Sequence, residues 1–547
     1  MSALAQQFGS TLLIATLVAP LIVLVVFLVP ALRGLARTIT PLAAAPALAA
    51  AALAIAGAPF GAELPALRVS LSLDQPGGLL LAAAALVWLI VSFFALREGQ
   101  GRPNADRFAI SWLLTMAGSL GVFIAADLLA FYLVYALVSV PAYYLVAHDE
   151  EPSSLRAGAV YMAFALLGEA VLLIAFVMLA AGEPNGSVQI RDVVAALPAS
   201  PWREAALALI IVGFGMKIAL VPLHGWMPLT YTAAPIPAAA VLSGAGVKAG
   251  VIGLIRFLPL GAAFPGWGEA LVWLGFISAF YGVAIGVTQR DPKTMLAYSS
   301  VSQMGVIAAA FGMALASADQ GAATNVAFYA ANHVLVKAAL FLTLGVVAAL
   351  DGRARTLALI VAALLGLSLA GLPLSGGALA KLAVKDQFGD GAAGVASQLS
   401  AAATTALMLV FVMRLARLPA ADRVGAPSGR LWSWAALAVA ALLLPWLLYA
   451  AIGSPAEALE PAKLWDAVWP MLIGTALAAA GVWAVRDRLP CIPAGDIVVA
   501  EEAAFRASLS LGAAFERADR GLREWPAAGL ALLMVALALA AAGYASR

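Results

Sequence analysis

The feature that most constrains the fold is a succession of apolar runs, each roughly 20 residues long, separated by short polar stretches. A helix that crosses the hydrocarbon core of a bilayer needs about 17–25 predominantly apolar residues. Because lipid offers no hydrogen-bond partner to an exposed backbone, we expect these runs to form α-helices. We predict about sixteen spans, at residues 11–32, 41–59, 77–96, 108–126, 128–147, 157–181, 204–229, 236–258, 268–288, 295–316, 323–349, 357–388, 393–416, 432–453, 466–485 and 526–544.

Composition supports a polytopic membrane protein. Of the 547 residues, 64% are hydrophobic and 11% are charged, whereas soluble domains have about 25% charged residues. The net charge of +2 gives no indication of a nucleic-acid partner. The single cysteine, Cys491, excludes an internal disulfide and any multi-cysteine metal or iron–sulfur site. We therefore expect no metal and no cofactor on this chain. The N-terminus has no basic start typical of a signal peptide, so we expect the first run to be retained.

Positively charged loops alternate along the chain and predict its orientation. Most basic residues between the runs follow odd-numbered spans, and they are Arg33, Arg37, Arg97, Arg102, Arg107, Arg156, Arg290, Lys293, Arg353, Arg355, Arg414, Arg417, Arg423 and Arg430. We expect the chain to lie in the inner (cytoplasmic) membrane of the cell. Because cytoplasmic loops carry the excess of Lys and Arg, we place the loops after odd-numbered spans in the cytoplasm. Both termini are then predicted outside.

Spans four to eight (108–258) and nine to thirteen (268–416) form two blocks of five helices. An odd number of helices makes consecutive blocks inverted in the membrane, so we predict two inverted repeats. The fourth span of each block is interrupted by proline, at Pro222 and Pro373. Paired broken helices point to an ion pathway in transporters, although proline and glycine also occur in ordinary membrane helices.

The remaining segments flank these blocks. We predict three N-terminal helices in residues 1–100 and spans fourteen and fifteen in 432–485. Residues 486–524 mix charged and apolar side chains at helical spacing, which favours an amphipathic lateral helix on the membrane or on neighbouring subunits. A plain linker helix is the alternative. A C-terminal transmembrane helix is predicted in residues 526–547.

Ionisable residues inside the apolar runs are the candidate functional residues. The chain has 24 Arg but only seven Lys, and at least four of the seven lie inside runs. A charge in hydrocarbon costs about 2.5–3.5 kcal/mol even on lenient scales, so it suggests function. Lysine changes its pKa readily when buried, whereas arginine does not. We name these residues the polar row: Glu169, Lys217, His224, Lys248, His333, Lys337 and Lys381.

In the first block, Lys217 lies five residues before Pro222, and His224 lies just after it. Glu169 is the only carboxylate deep in a run. A nearby acid would keep Lys217 charged, and neutralising the acid would release the proton. A structural ion pair for Lys217 and a structural hydrogen bond for His224 are the alternatives.

The second block repeats this pattern. His333 and Lys337 are four residues apart, on one helical face, and Lys381 follows the Pro373 interruption. Lys248, at the end of the first block, lies among small residues that let a neighbouring helix approach closely. Lys385 is nearer the edge, where its charge can simply extend to the membrane surface.

Four ordered segments are similar to motifs of the antiporter-like membrane subunits of respiratory complex I and its relatives. The relatives include membrane-bound hydrogenases, formate hydrogenlyase and multi-subunit Na⁺/H⁺ antiporters, and the NADH:quinone oxidoreductase chain M/N type is the most similar. The segments are Phe214 through Lys248, Gln289 through Gly305, His333 through Phe341, and Ser368 through Lys381.

This resemblance implies an all-α protein with a core of about fourteen transmembrane helices in two inverted five-helix repeats. It also implies proton translocation along the polar row, driven by partner membrane subunits, because no redox-centre motif is present. It does not decide between a respiratory complex, a hydrogenase-type complex and a cation antiporter that moves Na⁺. Whether the chain serves an enzyme therefore stays open, and a non-conducting scaffold is a further alternative.

The sequence departs from the family pattern at two places. Family members usually carry a glutamate in helix five, paired with the helix-seven lysine, and this chain has Ala136 there. The usual His and Glu before the Ala-Pro pair are Tyr231 and Ala233. Either Glu169, one helix further on, takes the role of the missing acid, or the first half-channel is degenerate.

Overall fold

The computed structural model describes residues 3–57, 59–66, 68–98, 104–419, 428–485, 492–523 and 533–537. The α-helices of this part are α1 (Ala3–Leu28), α2 (Arg33–Ile39), α3 (Ala45–Ala56), α4 (Gln75–Glu98), α5 (Ala105–Gly121), α6 (Leu128–Ser139), α7 (Ala142–Val146), α8 (Pro152–Gly182), α9 (Ile190–Ala196), α10 (Arg203–Lys217), α11 (Trp226–Ala233), α12 (Ile236–Val241), α13 (Lys248–Phe257), α14 (Pro265–Gly286), α15 (Pro292–Ser317), α16 (Ala322–Ala349), α17 (Gly352–Ala370), α18 (Gly376–Ala383), α19 (Lys385–Phe388), α20 (Ala392–Ala416), α21 (Ser428–Tyr449), α22 (Pro461–Val485) and α23 (Asp496–Arg523). Two strands, β1 (Phe60–Leu64) and β2 (Val69–Leu73), form an antiparallel hairpin. Short 3₁₀ turns cover Pro30–Leu32, Thr40–Ala44, Leu197–Ala199 and Glu457–Leu459, and a π-helical segment covers Leu242–Gly246.

The predicted all-α polytopic membrane fold is confirmed. Thirteen helical segments of the described residues are long and apolar enough to cross a membrane. Two further predicted spans are helical but fall outside this set: α5 has only 17 residues, and span seven is divided into α10 and α11. The sixteenth predicted span lies outside the described residues except for 533–537, which are helical. The division into inverted repeats stays a prediction.

Loops that the prediction places on one side of the membrane contact each other. Arg33 and Arg37, after the first span, both donate to Asp106, after the third span, at 2.6 Å. On the predicted opposite side, Asp74 after the second span forms two hydrogen bonds with Arg256 at the end of the eighth, at 2.5 and 2.7 Å. These ion pairs therefore join loops that the predicted topology places on the same side of the membrane, and they agree with that topology.

The Asp74–Arg256 pair also changes the acidity of its carboxyl group. Burial raises the pKa of Asp74, but the Arg256 guanidinium and the Gly77 N–H lower it by more, so the pKa of Asp74 is below its ordinary value of 3.8. The ionised carboxylate therefore stabilises the contact between the start of α4 and the end of α13.

Helices α14 and α15 approach each other backbone to backbone. Glycines at seven-residue spacing line the contact, and they are Gly268, Gly275 and Gly282 on α14 and Gly305 and Gly312 on α15. A Cβ atom on Gly275 would lie 2.5 Å from the Ala309 nitrogen and the Gly305 oxygen. Since two steps of seven residues keep nearly the same helical face, the glycines form one continuous stripe.

The chain divides into two compact units, Met1–Ala494 and Gly495–Arg547. The second unit contains α23, a helix of 28 residues within the segment 486–524 that was predicted to be an amphipathic lateral helix. Residues 486–491, at the start of that segment, lie outside the described part. The position of α23 on the membrane surface stays a prediction.

Candidate functional site

The interruption of span seven begins before its proline. Helix α10 ends at Lys217, and Ala219 follows in the left-handed conformation, with φ of 59°. The Leu220 N–H donates to the Gly215 carbonyl at 2.9 Å, the bond that defines a Schellman helix end. The sequence placed the break at Pro222, and this was wrong by about three residues, because the left-handed residue has already turned the chain away.

The interruption of span twelve has the same construction. Gly371 follows α17 with φ of 106°, and the Leu372 N–H donates to the Leu367 carbonyl at 2.9 Å. This helix end also precedes its proline, Pro373. The two breaks thus share one local geometry, although Lys217 lies before its break and Lys381 after its own.

Lys217 occupies the last turn of α10, where the negative end of the helix dipole favours a cation by roughly 0.3–1 kcal/mol. Its Nζ donates to the Ser139 hydroxyl at 2.7 Å and lies 5.1 Å from the centre of the Tyr135 ring. Only 7% of the Lys217 surface is exposed. Predicted span six, α8, approaches α10 closely, since a Cβ atom on Gly168 would lie 3.6 Å from the Gly213 carbonyl oxygen.

Glu169 is buried beside this lysine. The Glu169 carboxylate is close enough to the Lys217 ammonium for an electrostatic interaction, but the two groups, both among the described residues, form no ion pair within 4 Å. One carboxylate oxygen, Oε1, accepts no hydrogen bond from the described part of the protein. Ala136, at the usual position of the family glutamate, lies one turn before Ser139 on α6. Span five therefore contributes a hydroxyl group to Lys217, and the role of Glu169 as the acid of this lysine stays a prediction.

Two small cavities, each about 10 Å³, border Lys217. A cavity of that size has room for about one water molecule. The first is lined by Ser139 and Gly168, on the side of the acid. The second is lined by Thr230 and Val247, which directly precedes the next lysine of the polar row. Lys217 thus has a water-sized space on each side.

Lys248 begins α13 and is separated by Val247 from the π-helical segment, a distortion that is frequent at functional sites. Its Nζ lies 2.6 Å from Nδ1 of His333 on α16, and both side chains are fully buried. A Cβ atom on Gly244 would lie 3.1 Å from the Val334 carbonyl, so glycine in the π-helical segment permits this approach of α16. The sequence predicted a buried lysine and a histidine but not their contact.

Lys337 lies one turn after His333 and is also fully buried. Its Nζ donates to the Leu296 carbonyl of α15 at 2.7 Å. Nε2 of His333 has no hydrogen-bond partner within the described residues. The predicted pair on one helical face is therefore present, with its two members directed to different helices.

His224 lies in the loop between α10 and α11 and is fully buried. The centre of its ring is 4.9 Å from that of Tyr281 on α14 and 6.3 Å from that of Tyr298 on α15. The break of the first block therefore packs against the second block through this histidine.

Lys381 occupies the last turn of α18 and lines a cavity of about 250 Å³ between α18, α20 and α22. Lys385 lines the same cavity and forms an ion pair with Asp466 at 2.5 Å. The sequence left open whether Lys385 only extends to the surface, and the structure gives it a carboxylate partner.

Buried hydroxyl groups accompany the polar row. Their oxygens have no hydrogen-bond partner among the described residues, and they belong to Thr230, Ser243, Ser299, Ser302 and Ser400. Buried polar groups of this kind are ordinarily satisfied by ordered water. Within the same described residues, no three His, Cys, Asp or Glu side chains converge in a metal-binding group.

Comparison with known proteins agrees with the resemblance. Residues 125–388 match the family described as NADH:quinone oxidoreductase/Mrp antiporter, TM. Hydrogenase-4 component B of Escherichia coli is 28% identical over 294 residues, which are 51% of this chain and 43% of that protein. NADH-quinone oxidoreductase subunit M of Pseudomonas aeruginosa is 31% identical over 256 residues, 44% of this chain and 49% of that protein. The chain thus spans about half the length of these curated relatives.

The fold is also similar to a solved structure over nearly its whole length. The structure of the Mrp complex from Dietzia sp. DQ12-45-1b matches with a TM-score of 0.75 and 24% identity, covering 98% of this chain and 63% of that chain. The resemblance predicted from the four motifs is confirmed. Every member of the polar row falls within residues 125–388, the part of the chain that matches the family described as NADH:quinone oxidoreductase/Mrp antiporter, TM.

Proposed function

We propose that this chain is a proton-translocating subunit of a multi-subunit complex in the cytoplasmic membrane, and that protons pass along the polar row. The contact of 2.6 Å between Lys248 Nζ and His333 Nδ1 is the observation that carries the proposal. It joins α13 of the first predicted block to α16 of the second. Two ionisable groups of different blocks are thereby close enough to exchange a proton directly.

The chemistry of this contact favours a single shared proton. Nδ1 of His333 accepts a hydrogen bond only when it carries no proton, and the Lys248 ammonium donates. If both groups were charged, two like charges would be buried in contact, which is strongly unfavourable. A proton that arrives at Lys248 therefore passes to His333, and Lys337 lies one turn further along the same face.

Lys217 and Glu169 form the entry of this route in our proposal. The carboxylate stabilises the Lys217 ammonium, and protonation of Glu169 weakens that interaction. Lys217 can then release its proton into the cavity lined by Thr230 and Val247, toward Lys248. Ser139 accepts a hydrogen bond from the Lys217 ammonium at 2.7 Å, so it fixes the position of the lysine at this entry.

The exit of the route is assigned to Lys381. Helix α18 packs against α16 where a Cβ atom on Gly376 would lie 2.5 Å from Asn332 Oδ1. This oxygen is buried and accepts no hydrogen bond from the described residues. Asn332 directly precedes His333 in the sequence. A hydrated path from α16 to the helix that carries Lys381 would therefore pass the Asn332 side chain.

Partner subunits supply the energy in this proposal, and the orientation is the predicted one, with both termini outside the cell. The relatives are named for a hydrogenase and for an NADH-quinone oxidoreductase, and the matched family also includes an antiporter. A cation antiporter that exchanges Na⁺ for protons is the second candidate, because the matched family carries that name.

The test uses the complex purified with its partners and reconstituted in vesicles that contain a fluorescent pH indicator. We expect Lys217→Ala to abolish coupled proton movement while the complex still assembles. The matched control is Arg203→Ala, at the exposed start of the same helix, and it should transport normally. Normal transport by Lys217→Ala would favour a non-conducting scaffold. Replacing Na⁺ with choline in the vesicles separates the proton pump from the Na⁺/H⁺ antiporter.

A further inference from the structure

The cavity beside Lys381 is larger than the proposed proton route requires. Its volume is about 250 Å³, compared with about 10 Å³ for each cavity at Lys217. It is bounded by the break between α17 and α18, by α20 and by the first turns of α22. The space exceeds that of a single file of a few water molecules and lies just below the volume of small-molecule pockets, which begins at about 300 Å³.

The polar lining of this cavity has a cationic excess. Three lysines face it, Lys381, Lys385 and Lys463, together with the carboxylates of Asp390 and Asp466. Asp466 is already paired with Lys385 at 2.5 Å. Within the described residues, neither Lys381 nor Lys463 has a carboxylate within 4 Å or a side-chain hydrogen bond. An anionic group would therefore find two cations available to it.

The apolar lining faces the lipid. Leu374 and Val395 line the cavity and are 58% and 55% exposed. Trp469 also lines it, and Trp465, one turn earlier on α22, is 60% exposed. Tryptophan at the end of a membrane helix is typical of the level of lipid headgroups. The cavity thus has an apolar opening, and the lysine side chains line its interior.

The lysines lie at different depths along the helices. Lys385 begins the four-residue helix α19, just before the loop after span twelve, and Lys463 is near the start of α22, so both lie close to the predicted membrane surface. Lys381 is four residues before Lys385, which places it about 6 Å deeper. A molecule whose anionic group lies at the surface and whose chain lies along the apolar lining fits this arrangement.

We propose that this cavity binds an anionic glycerophospholipid, with the phosphate held by Lys463 and Lys381 and an acyl chain against Leu374 and Val395. The lipid comes from the leaflet that borders the loops after spans twelve and fourteen. Basic pockets between transmembrane helices recognise lipid headgroups by this combination of charge and apolar surface. The proposal does not depend on proton transport.

Native mass spectrometry of the full chain, in the assembly with which it purifies, tests the site. The probe is phosphatidylglycerol, with phosphatidylcholine as the neutral-headgroup comparison. We expect one phosphatidylglycerol to be retained, and Lys463→Gln to weaken its binding about fivefold, since one lysine near the surface contributes about 1 kcal/mol. Ser397→Phe, which fills the cavity from α20 without changing its charge, should also displace the lipid.

The control is Arg191→Gln, which removes an exposed cation outside the cavity and should leave binding unchanged. Equal retention of the two lipids would show that the cavity does not select an anionic headgroup, and would overturn the proposal. So would wild-type retention of phosphatidylglycerol by Lys463→Gln and Ser397→Phe, or the absence of bound lipid from the wild type. Because the measurement records binding alone, its failure leaves the proposed proton transport untouched.

Discussion

The contact between Lys248 and His333 allows the proposed route to be tested with one substitution. His333→Leu replaces the imidazole by an apolar side chain of similar size, so it removes the proton acceptor with little change in packing. Lys248 is fully buried and 2.6 Å from the imidazole nitrogen. After the substitution, a proton on Lys248 has no acceptor at that position.

The expected magnitude follows from the burial of the lysine. A hydrogen bond to a charged group contributes about 1.5–3 kcal/mol, and removing the imidazole leaves the buried Lys248 ammonium without it. If about 3 kcal/mol of this cost is added to the barrier for proton passage, the rate falls about 150-fold, since each 1.36 kcal/mol changes a rate tenfold. We therefore expect proton flux in His333→Leu near the background of protein-free vesicles.

The assay measures the initial rate of acidification in vesicles that contain the reconstituted complex. Leu335→Met is the matched control, because Leu335 is a fully buried residue of the same helix and the change conserves volume. It should transport at the wild-type rate. A flux in His333→Leu within twofold of the wild type, with the complex intact, would refute a route through this contact.

Three further predictions concern other parts of the chain. We expect Glu169→Gln to lower proton flux about 100-fold, a loss typical of a removed proton-transfer group, and Glu169→Asp to retain more flux; an unchanged rate in Glu169→Gln would exclude this carboxylate. Gly275→Ala should lower the thermal midpoint of the purified protein, because the added Cβ lies 2.5 Å from the backbone of α15 and such overpacking costs about 1–3 kcal/mol. Gly481→Ala, with nothing within 4 Å of the added carbon, should not lower it. Asp74→Asn should destabilise the protein at neutral pH. Because the folded-state pKa of Asp74 is lowered below 3.8, the stabilisation is complete above that value and is lost as the pH falls through the folded pKa. The difference between wild type and Asp74→Asn should thus vanish in strong acid, and a difference that persists there would contradict the assigned ion pair.

The spans and the polar row could be predicted because each depends on a short stretch of sequence. Length and hydropathy define the helices, and an ionisable residue inside an apolar run is visible without knowledge of its neighbours. The hairpin was missed although Val69-Ser-Leu-Ser-Leu73 alternates as a strand does. Each strand has only five residues, which is far shorter than the apolar runs that define the spans.

The contacts within the row could not be predicted, because they depend on how distant helices approach. Lys248 and His333 are 85 residues apart, and their contact requires the π-helical segment and the glycine within it. Ser139 was missed for a related reason: a serine in a membrane helix ordinarily bonds to its own backbone, as Ser139 also does with the Tyr135 carbonyl at 3.2 Å. Its second role appears only when α10 is placed beside α6.

The stripe of glycines between α14 and α15 has a mechanical consequence for the chain. Two helices in backbone contact have little freedom to slide or rotate against each other, so α14 and α15 behave as one rigid unit. Ser278 lies on α14, and its hydroxyl accepts a hydrogen bond from the Val221 N–H at 2.9 Å. Val221 lies in the segment that precedes α11. Lys293 at the start of α15 donates to the Thr232 carbonyl at 2.8 Å, near the end of α11. Helices α14 and α15 therefore hold α11 through the segment that precedes it and through its last turn. A displacement of this helix pair relative to α10 would act on the break beside Lys217.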